Sequence, residues 1–153
     1  MSEIARIGGQ LKRAFEGEAW HGPSLKELLA GVTAERAAAK PLAGSHSIWE
    51  IVLHIAAWES VARRRLEGET ALIPSEEDWP TVNDTSETAW LEALAKLESG
   101  HRQLRATLRQ LTDADLDKIV AGQQYSFYFL LHGVIQHDLY HAGQIALLKK
   151  AAR

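Results

Sequence analysis

Hydrophobic residues recur every three or four positions along most of the chain, which is the spacing of one helix face. Four long segments show this pattern most clearly, and we predict each of them as a helix. No segment shows the strict alternation of apolar and polar residues that marks a half-buried strand. The inward positions of the four segments are Ile4, Ile7, Leu11 and Phe15; Ile48, Ile51, Ile55, Trp58 and Ala62; Trp90, Leu94, Leu97, His101, Leu104, Leu108 and Leu111; and Leu130, Val134, His137, His141, Ile145 and Leu148.

Two helix starts are marked by a serine followed three residues later by a glutamate. This is the spacing of a capping box, in which each side chain accepts a backbone N–H of the first turn. Ser24 and Glu27 predict the start of a short helix, and Ser47 and Glu50 predict the start of the second long one.

The third and fourth long helices are less sharply delimited. We expect the third to begin after Asp84, with Glu87 completing a capping box, and the fourth to cover residues 126–151. Shorter helical turns are predicted at residues 33–39 and 112–116.

Helical periodicity disappears over residues 68–84, which contain Pro74 and Pro80. A connection of this length in a compact domain is usually functional or a crossover, and a crossover lets two consecutive helices run parallel. Trp79 in this stretch is a candidate for part of a lid over a pocket. The pattern predicts an all-α fold: a four-helix bundle with a long crossover between helices 2 and 3, forming a single domain over residues 1–153.

Composition narrows the class of protein. The 153 residues include no cysteine, which excludes disulfides, thiolate metal sites and a cysteine nucleophile. Seventeen basic and twenty acidic residues give a net charge of −3, which argues against nucleic-acid binding. No apolar run approaches the roughly 20 residues that span a bilayer, and the first residues lack the layout of a signal peptide. We therefore expect a cytoplasmic protein that does not act at a membrane.

Two histidines stand four residues apart in the fourth predicted helix. Four residues advance a helix by about 6 Å and return to the same face, so His137 and His141 can converge on one metal ion. Position 138 is aspartate, so the HExxH pattern of zinc proteases is absent. His54 lies near the apolar side of the second helix, where a single histidine is usually a partnered core residue. Three imidazoles buried in one bundle need partners, and a metal ion would be a partner common to all three.

Two segments carry a resemblance to a known family. Residues 46–59, HSIWEIVLHIAAWE, resemble the second helix of the DinB/YfiT-like superfamily, and residues 137–145, HDLYHAGQI, resemble its fourth helix. The similarity extends along nearly the whole chain. It implies a four-helix bundle with a long link between its second and third helices. It also implies a divalent metal ion held by His54, His137 and His141.

Three histidine ligands leave one position of a tetrahedral ion open, as in catalytic rather than structural zinc sites. They also leave the charge of the ion uncompensated, which favours hydroxide or a substrate thiolate in the open position. Imidazole suits several divalent metals; we expect zinc, with nickel as an alternative. Gln144 shares the face of His137 and His141 and is our candidate catalytic residue, which would hydrogen-bond a bound water or substrate. The alternative is a polar residue at the end of the bundle.

Other residues near these positions have plainer interpretations. Glu50 could orient the imidazole of His54, but its capping box explains it better. Asp138 turns about 100° away from the ligand face, so we expect it at the surface or in a salt bridge. His101 is expected to be a partnered core histidine, and Trp58 to pack in the core more than to line a pocket.

The resemblance implies a metal-dependent enzyme, since the family includes hydrolases as well as transferases and isomerases that use low-molecular-weight thiols. We expect transfer of a small thiol to an electrophilic small molecule, because no carboxylate that could act as a general base falls on the ligand faces. One alternative is a hydrolase that uses metal-bound hydroxide. Others are a non-catalytic binding protein linked to the stress response, and a plain helical bundle with coincidental histidines. A homodimer is expected from the family.

Overall fold

Helices make up most of the computed structural model, which describes residues 1–152 of the chain. In chain order the α-helices are α1 (Glu3–Glu16), α2 (Leu25–Leu29), α3 (Ala34–Ala38), α4 (Ile48–Leu66), α5 (Ser75–Asp78), α6 (Glu87–Leu108) and α7 (Phe127–Ala151). A 3₁₀ helix, Asp113–Asp117, and an isolated antiparallel bridge between Ile119 and Ser126 precede α7. The described residues contain no β-strand, so the predicted all-α fold is confirmed. None of these helices is both long and apolar enough to cross a membrane.

The second and third long helices, α4 and α6, run parallel. Near their starts the rings of Trp49 and Trp90 pack with centroids 5.1 Å apart. Beyond the end of α4, the carboxylate of Glu67 accepts a hydrogen bond from the hydroxyl of Thr107 near the end of α6. Residues 67–86 return the chain from one end of the bundle to the other. This is the predicted crossover between helices 2 and 3.

The remaining long helices complete the bundle. α7 is antiparallel to α4, because His54 in α4 meets His137 in α7 while Arg65 near the end of α4 meets Tyr125 just before α7. α1 packs against both α6 and α7. The architecture is therefore the four-helix bundle that the hydrophobic pattern predicts.

The hydrophobic core consists of two clusters separated by a layer of buried polar side chains. One cluster surrounds Trp49 and Trp90, and the other contains Ile7, Leu104 and Leu131. Buried polar groups persist in a core only where they find partners or a function. This layer is where the predicted metal ligands lie. Its members are His54 and Glu59 of α4, His101 of α6, and Asp138 and His141 of α7.

Local sequence signals explain most of the helix starts. The capping boxes predicted at Ser24 with Glu27 and at Ser47 with Glu50 are both present. The turn predicted at residues 112–116 is the 3₁₀ helix. The capping box of Ser47 and Glu50 fixes the residue at which α4 begins, and so the position of His54 along that helix.

The start of α6 differs from the prediction. Ser86, rather than Asp84, is the N-cap, and its hydroxyl accepts the backbone N–H of Ala89. The carboxylate of Asp84 instead accepts the N–H of Ser86. Glu87 is the first helical residue, two positions before the one that would close a capping box with Ser86. It accepts the backbone N–H of Ala34 and so joins α6 to α3.

Candidate metal centre

Three histidines from two helices meet in the polar layer. α4 supplies His54, and α7 supplies His137 and His141, which lie one turn apart on one face. The Nε2 atoms of His54 and His137 are 3.0 Å apart, and one nitrogen from each of the three rings lies within 4.8 Å of the others. His54 and His141 are buried, and His137 is half-buried. The structure thus brings together the three residues that the family resemblance implies as ligands.

Two of the three rings are oriented by hydrogen bonds. The Nδ1 atom of His54 lies 2.7 Å from the backbone oxygen of Asp78, and the Nδ1 atom of His141 lies 2.7 Å from Oε1 of Gln144. A carbonyl oxygen only accepts, so each Nδ1 carries the hydrogen and donates it. The Nε2 atoms of both rings are then free of hydrogen, with lone pairs available for a metal ion.

The residues present fit a divalent metal ion. Two nitrogens bound to a tetrahedral zinc ion at about 2.0–2.1 Å lie about 3.3 Å apart, close to the observed 3.0 Å between His54 and His137. Burial lowers the pKa of both His54 and His141, which favours the neutral ring that binds metals. The group contains no carboxylate, so a tetrahedral ion held by these three rings would keep an open position.

Gln144 contacts the site through His141. Its Oε1 atom accepts the Nδ1 hydrogen of His141, which lies one turn earlier in α7. Its side-chain nitrogen makes no hydrogen bond with the described part of the chain, so this nitrogen is the part of Gln144 left to contact a substrate. The catalytic role of Gln144 stays a prediction.

The crossover covers one side of the site. The carboxylate of Asp78 lies 3.1 Å from Nδ1 of His54 and accepts the indole N–H of Trp58 at 2.7 Å. Trp79 is sandwiched between His46 and His54, with ring centroids 3.6 and 3.8 Å away and interplanar angles of 4° and 6°. Trp79 therefore occupies the position that a lid over the site would take.

A second group of polar side chains lies behind the histidines. Glu59 and Asp138 are fully buried, and His101 is 1% exposed. The Nδ1 atom of His101 lies 3.0 Å from a carboxyl oxygen of Glu59, and Asp138 lies 3.9 Å from Nδ1 of His137. The expectation of a surface position for Asp138 is wrong, because the side of α7 beside the ligand face packs into the bundle instead of facing solvent.

Burial sets the charge state of this group. It raises the pKa of Glu59 to about 8 and, together with the neighbouring Glu59, the pKa of Asp138 to about 8. Burial lowers the pKa of His101 to about 4. No donor among the described residues satisfies Oε2 of Glu59 or either carboxyl oxygen of Asp138, so a proton shared by the two carboxyls is the arrangement that suits them. His101 also stacks on Phe15 at 3.8 Å, as expected for a partnered core histidine.

Glu50 serves the start of α4 and contacts none of the three candidate ligands. It accepts the backbone N–H of Ser47 at 2.7 Å and pairs with Lys40 at 2.9 Å. The capping interpretation of Glu50 is therefore confirmed.

Sequence reasoning missed three polar residues in this region. Glu59 follows Ile55 by four positions and Arg65 follows Ala62 by three, so both lie on the inward face of α4 and both are buried. The sequence could have indicated these two, because each is a charged residue at a position that helix periodicity turns toward the core. Asp78 has no such signal, because it lies in a stretch without periodicity.

The family relationship agrees with this geometry. No curated protein and no solved structure matches the chain. A family model described as the DinB superfamily matches residues 19–145, which include all three histidines and the crossover. This membership and the three-histidine group fit a metal-dependent enzyme. With most of its length matched, the chain belongs to the DinB superfamily.

Proposed function

We propose that this protein is a metal-dependent transferase that joins a low-molecular-weight thiol to a small electrophile. The observation that carries the proposal is a group of three imidazoles with no carboxylate among them. Hydrolysis by an activated water usually needs a carboxylate as general base. A thiol needs only to be deprotonated and held, and since the chain has no cysteine, the thiol must come from outside.

In this proposal His54, His137 and His141 hold the ion, which we take to be zinc, with nickel as the alternative. When bound, the ion would supply the positive charge that lowers the pKa of a thiol and keeps it deprotonated. Asp78 and Gln144 keep the Nε2 atoms of His54 and His141 available by accepting the Nδ1 hydrogens. The free amide nitrogen of Gln144 would donate to the substrate.

The reaction balances without an oxidant. The thiol proton goes to solvent, the sulfur lone pair forms a bond to an electrophilic carbon, and a leaving group departs with the electron pair of the bond that breaks. If the acceptor is an activated double bond, the carbon next to the attacked one takes up a proton from solvent instead. We propose that the protein acts on soluble small molecules in the cytoplasm, as a homodimer.

The test uses zinc-loaded protein, glutathione or cysteine as the thiol, and chlorodinitrobenzene as the electrophile, with the rate followed by absorbance. We expect turnover above the rate with free zinc, and its loss in His137→Ala. His21→Ala is the matched control, because His21 is exposed and away from the site. Zinc-dependent ester hydrolysis without thiol would instead favour a hydrolase. Zinc binding with neither activity against panels of thiols, electrophiles and esters would favour a binding protein.

A further inference from the structure

A cavity of about 250 Å³ adjoins the candidate metal centre on the side of His137. Its volume is just below the usual range of ligand pockets, roughly 300–1,000 Å³, so it suits a small ligand. The side chains that line the cavity are mostly apolar or aromatic, and one of them is a positively charged arginine. The residues that define it best are Trp58, Arg65, Tyr125, Phe129, Gly133 and His137.

The charge belongs to Arg65, whose guanidinium is held in place by neutral groups. Arg65 is 7% exposed. Its Nε donates to the backbone oxygen of Ala71 at 3.0 Å, and its Nη1 donates to the hydroxyl of Tyr125 at 2.7 Å. Its Cζ atom lies 5.8 Å from the ring of Trp58, and the ring of His137 lies 6.2 Å from that same ring. Arg65 and His137 therefore face one cavity across Trp58.

Arg65 has no counter-ion within ion-pair distance anywhere in the described residues. Its neighbours differ, since Arg63 pairs with Glu67 and Arg64 pairs with Glu69 at the surface. A buried charge costs several kcal/mol unless an opposite charge accompanies it. The Nη2 group also makes no hydrogen bond to the described chain, so a guanidinium edge is left for a ligand.

We infer that the cavity is the substrate site and that Arg65 binds a carboxylate at one end of the substrate. This inference rests on the proposed function, since it assumes that the reaction occurs at the adjoining histidines. The substrate class is then a small carboxylic acid with a flat or apolar body. The body would lie against Trp58 and Phe129, and the reactive end would point toward His137.

The test compares acids with their neutral amides. The probes are phenylacetate with phenylacetamide and benzoate with benzamide, and binding is followed by calorimetry in zinc-loaded and metal-free protein. We expect at least one acid to bind in both forms at millimolar concentration or better. We expect Arg65→Gln to weaken it about tenfold, as for loss of a charge-assisted hydrogen bond, while the weaker binding of the amide is unchanged. Arg64→Gln is the matched control, and it should bind like the parent.

A second variant tests the cavity without touching the charge. A side chain at Gly133 would enter open space beside the cavity, so Gly133→Leu should fill it and reduce acid binding while the helix keeps its fold. Gly143→Leu is the matched control on the same helix, and its site also has open space.

Three results would overturn the inference. They are no binding of either acid to the parent, equal binding to parent and Arg65→Gln, and binding that Gly133→Leu leaves unchanged. Acid binding that is lost when zinc is removed, but is equal in the parent and in Arg65→Gln, would mean that the carboxylate binds the ion and not Arg65. Failure of zinc binding, with Arg65-dependent acid binding intact, would contradict the proposed function alone.

Discussion

The imidazole of His54 and the indole of Trp79 lie face to face, with ring centroids 3.8 Å apart and ring planes within 6° of parallel. The preceding residue, Asp78, accepts the Nδ1 hydrogen of His54 through its backbone oxygen. The crossover therefore holds this ring both by stacking and by a hydrogen bond. Because His54 is a candidate ligand, metal binding at this site would be coupled to the position of the crossover.

We predict that Asp78→Ala lowers the affinity for zinc about tenfold. Partners of metal-bound histidines typically contribute about 10–100-fold to affinity, and the backbone oxygen of Asp78 remains in the variant, so we expect the low end. The dissociation constant is measured by competition with a chelating dye. Glu77→Ala is the control, because Glu77 is an exposed carboxylate in the same short helix. Equal affinities in the two variants would contradict a role for the Asp78 side chain.

Gln144 gives a prediction that separates two roles for one side chain. Gln144→Leu should lower zinc affinity about tenfold, because the Nδ1 hydrogen of His141 loses its acceptor. Gln144→Glu keeps an acceptor and should keep the affinity. If the amide nitrogen also contacts the substrate, Gln144→Glu should lower kcat of the thiol transfer while zinc remains bound. Gln136→Leu, an exposed change in the same helix, is the control. Unchanged affinity in Gln144→Leu would show that the hydrogen bond does not support the site.

Zinc should stabilise the folded protein through the three histidines. A ligand at about 1,000 times its dissociation constant adds about 4 kcal/mol to the free energy of unfolding. For a chain of this size we expect a rise in Tm on the order of 10 °C. The triple variant His54→Ala, His137→Ala, His141→Ala should show no rise, while His21→Ala should behave like the parent. An equal rise in the triple variant would place the zinc elsewhere.

The parts of the site that could be predicted are those that depend on helix periodicity. The spacing of His137, His141 and Gln144 places them on one face of a helix whatever the rest of the chain does. The spacing also gives the direction of Asp138 relative to the ligands. It does not say that α7 packs against α1 and α4 with this side turned into the bundle, so the burial of Asp138 was missed.

The contribution of the crossover could not be predicted in the same way. Residues 67–86 have no repeating pattern, and their path depends on where α4 ends and α6 begins. Asp78 and Trp79 reach His54 only because that path passes over the site. The position of Trp79 in the sequence suggested a lid, whereas the hydrogen bond from His54 to the backbone of Asp78 depends on tertiary packing alone.

The buried carboxyl of Glu59 should make the stability of the metal-free protein depend on pH. Its pKa is raised from the usual 4.5 to about 8, so between these values the folded state keeps a proton that the unfolded state releases. Stability therefore falls as pH rises across this interval. His101 has the opposite effect, because its pKa is lowered from 6.5 to about 4, so stability rises with pH between these two values. Above pH 6.5 the ring is neutral in both the folded and the unfolded state, and His101 no longer changes the stability.

Of Glu59, Asp138 and His101, only the two carboxyls still change the stability between pH 6.5 and 8. Asp138 acts in the same direction as Glu59, because its pKa is also raised to about 8. We predict that the free energy of unfolding falls over this range by up to about 1.4 kcal/mol per pH unit for one proton. Glu59→Gln should flatten the slope, because the amide cannot ionise and can donate a hydrogen bond to Asp138 in place of the shared proton. Urea unfolding at half-unit pH steps measures this, with the exposed Glu92→Gln as control. A parent whose stability is constant from pH 6.5 to 8 would mean that neither carboxyl is protonated in the folded core. A Glu59→Gln variant with the parent's slope would mean that Asp138, and not Glu59, carries the proton.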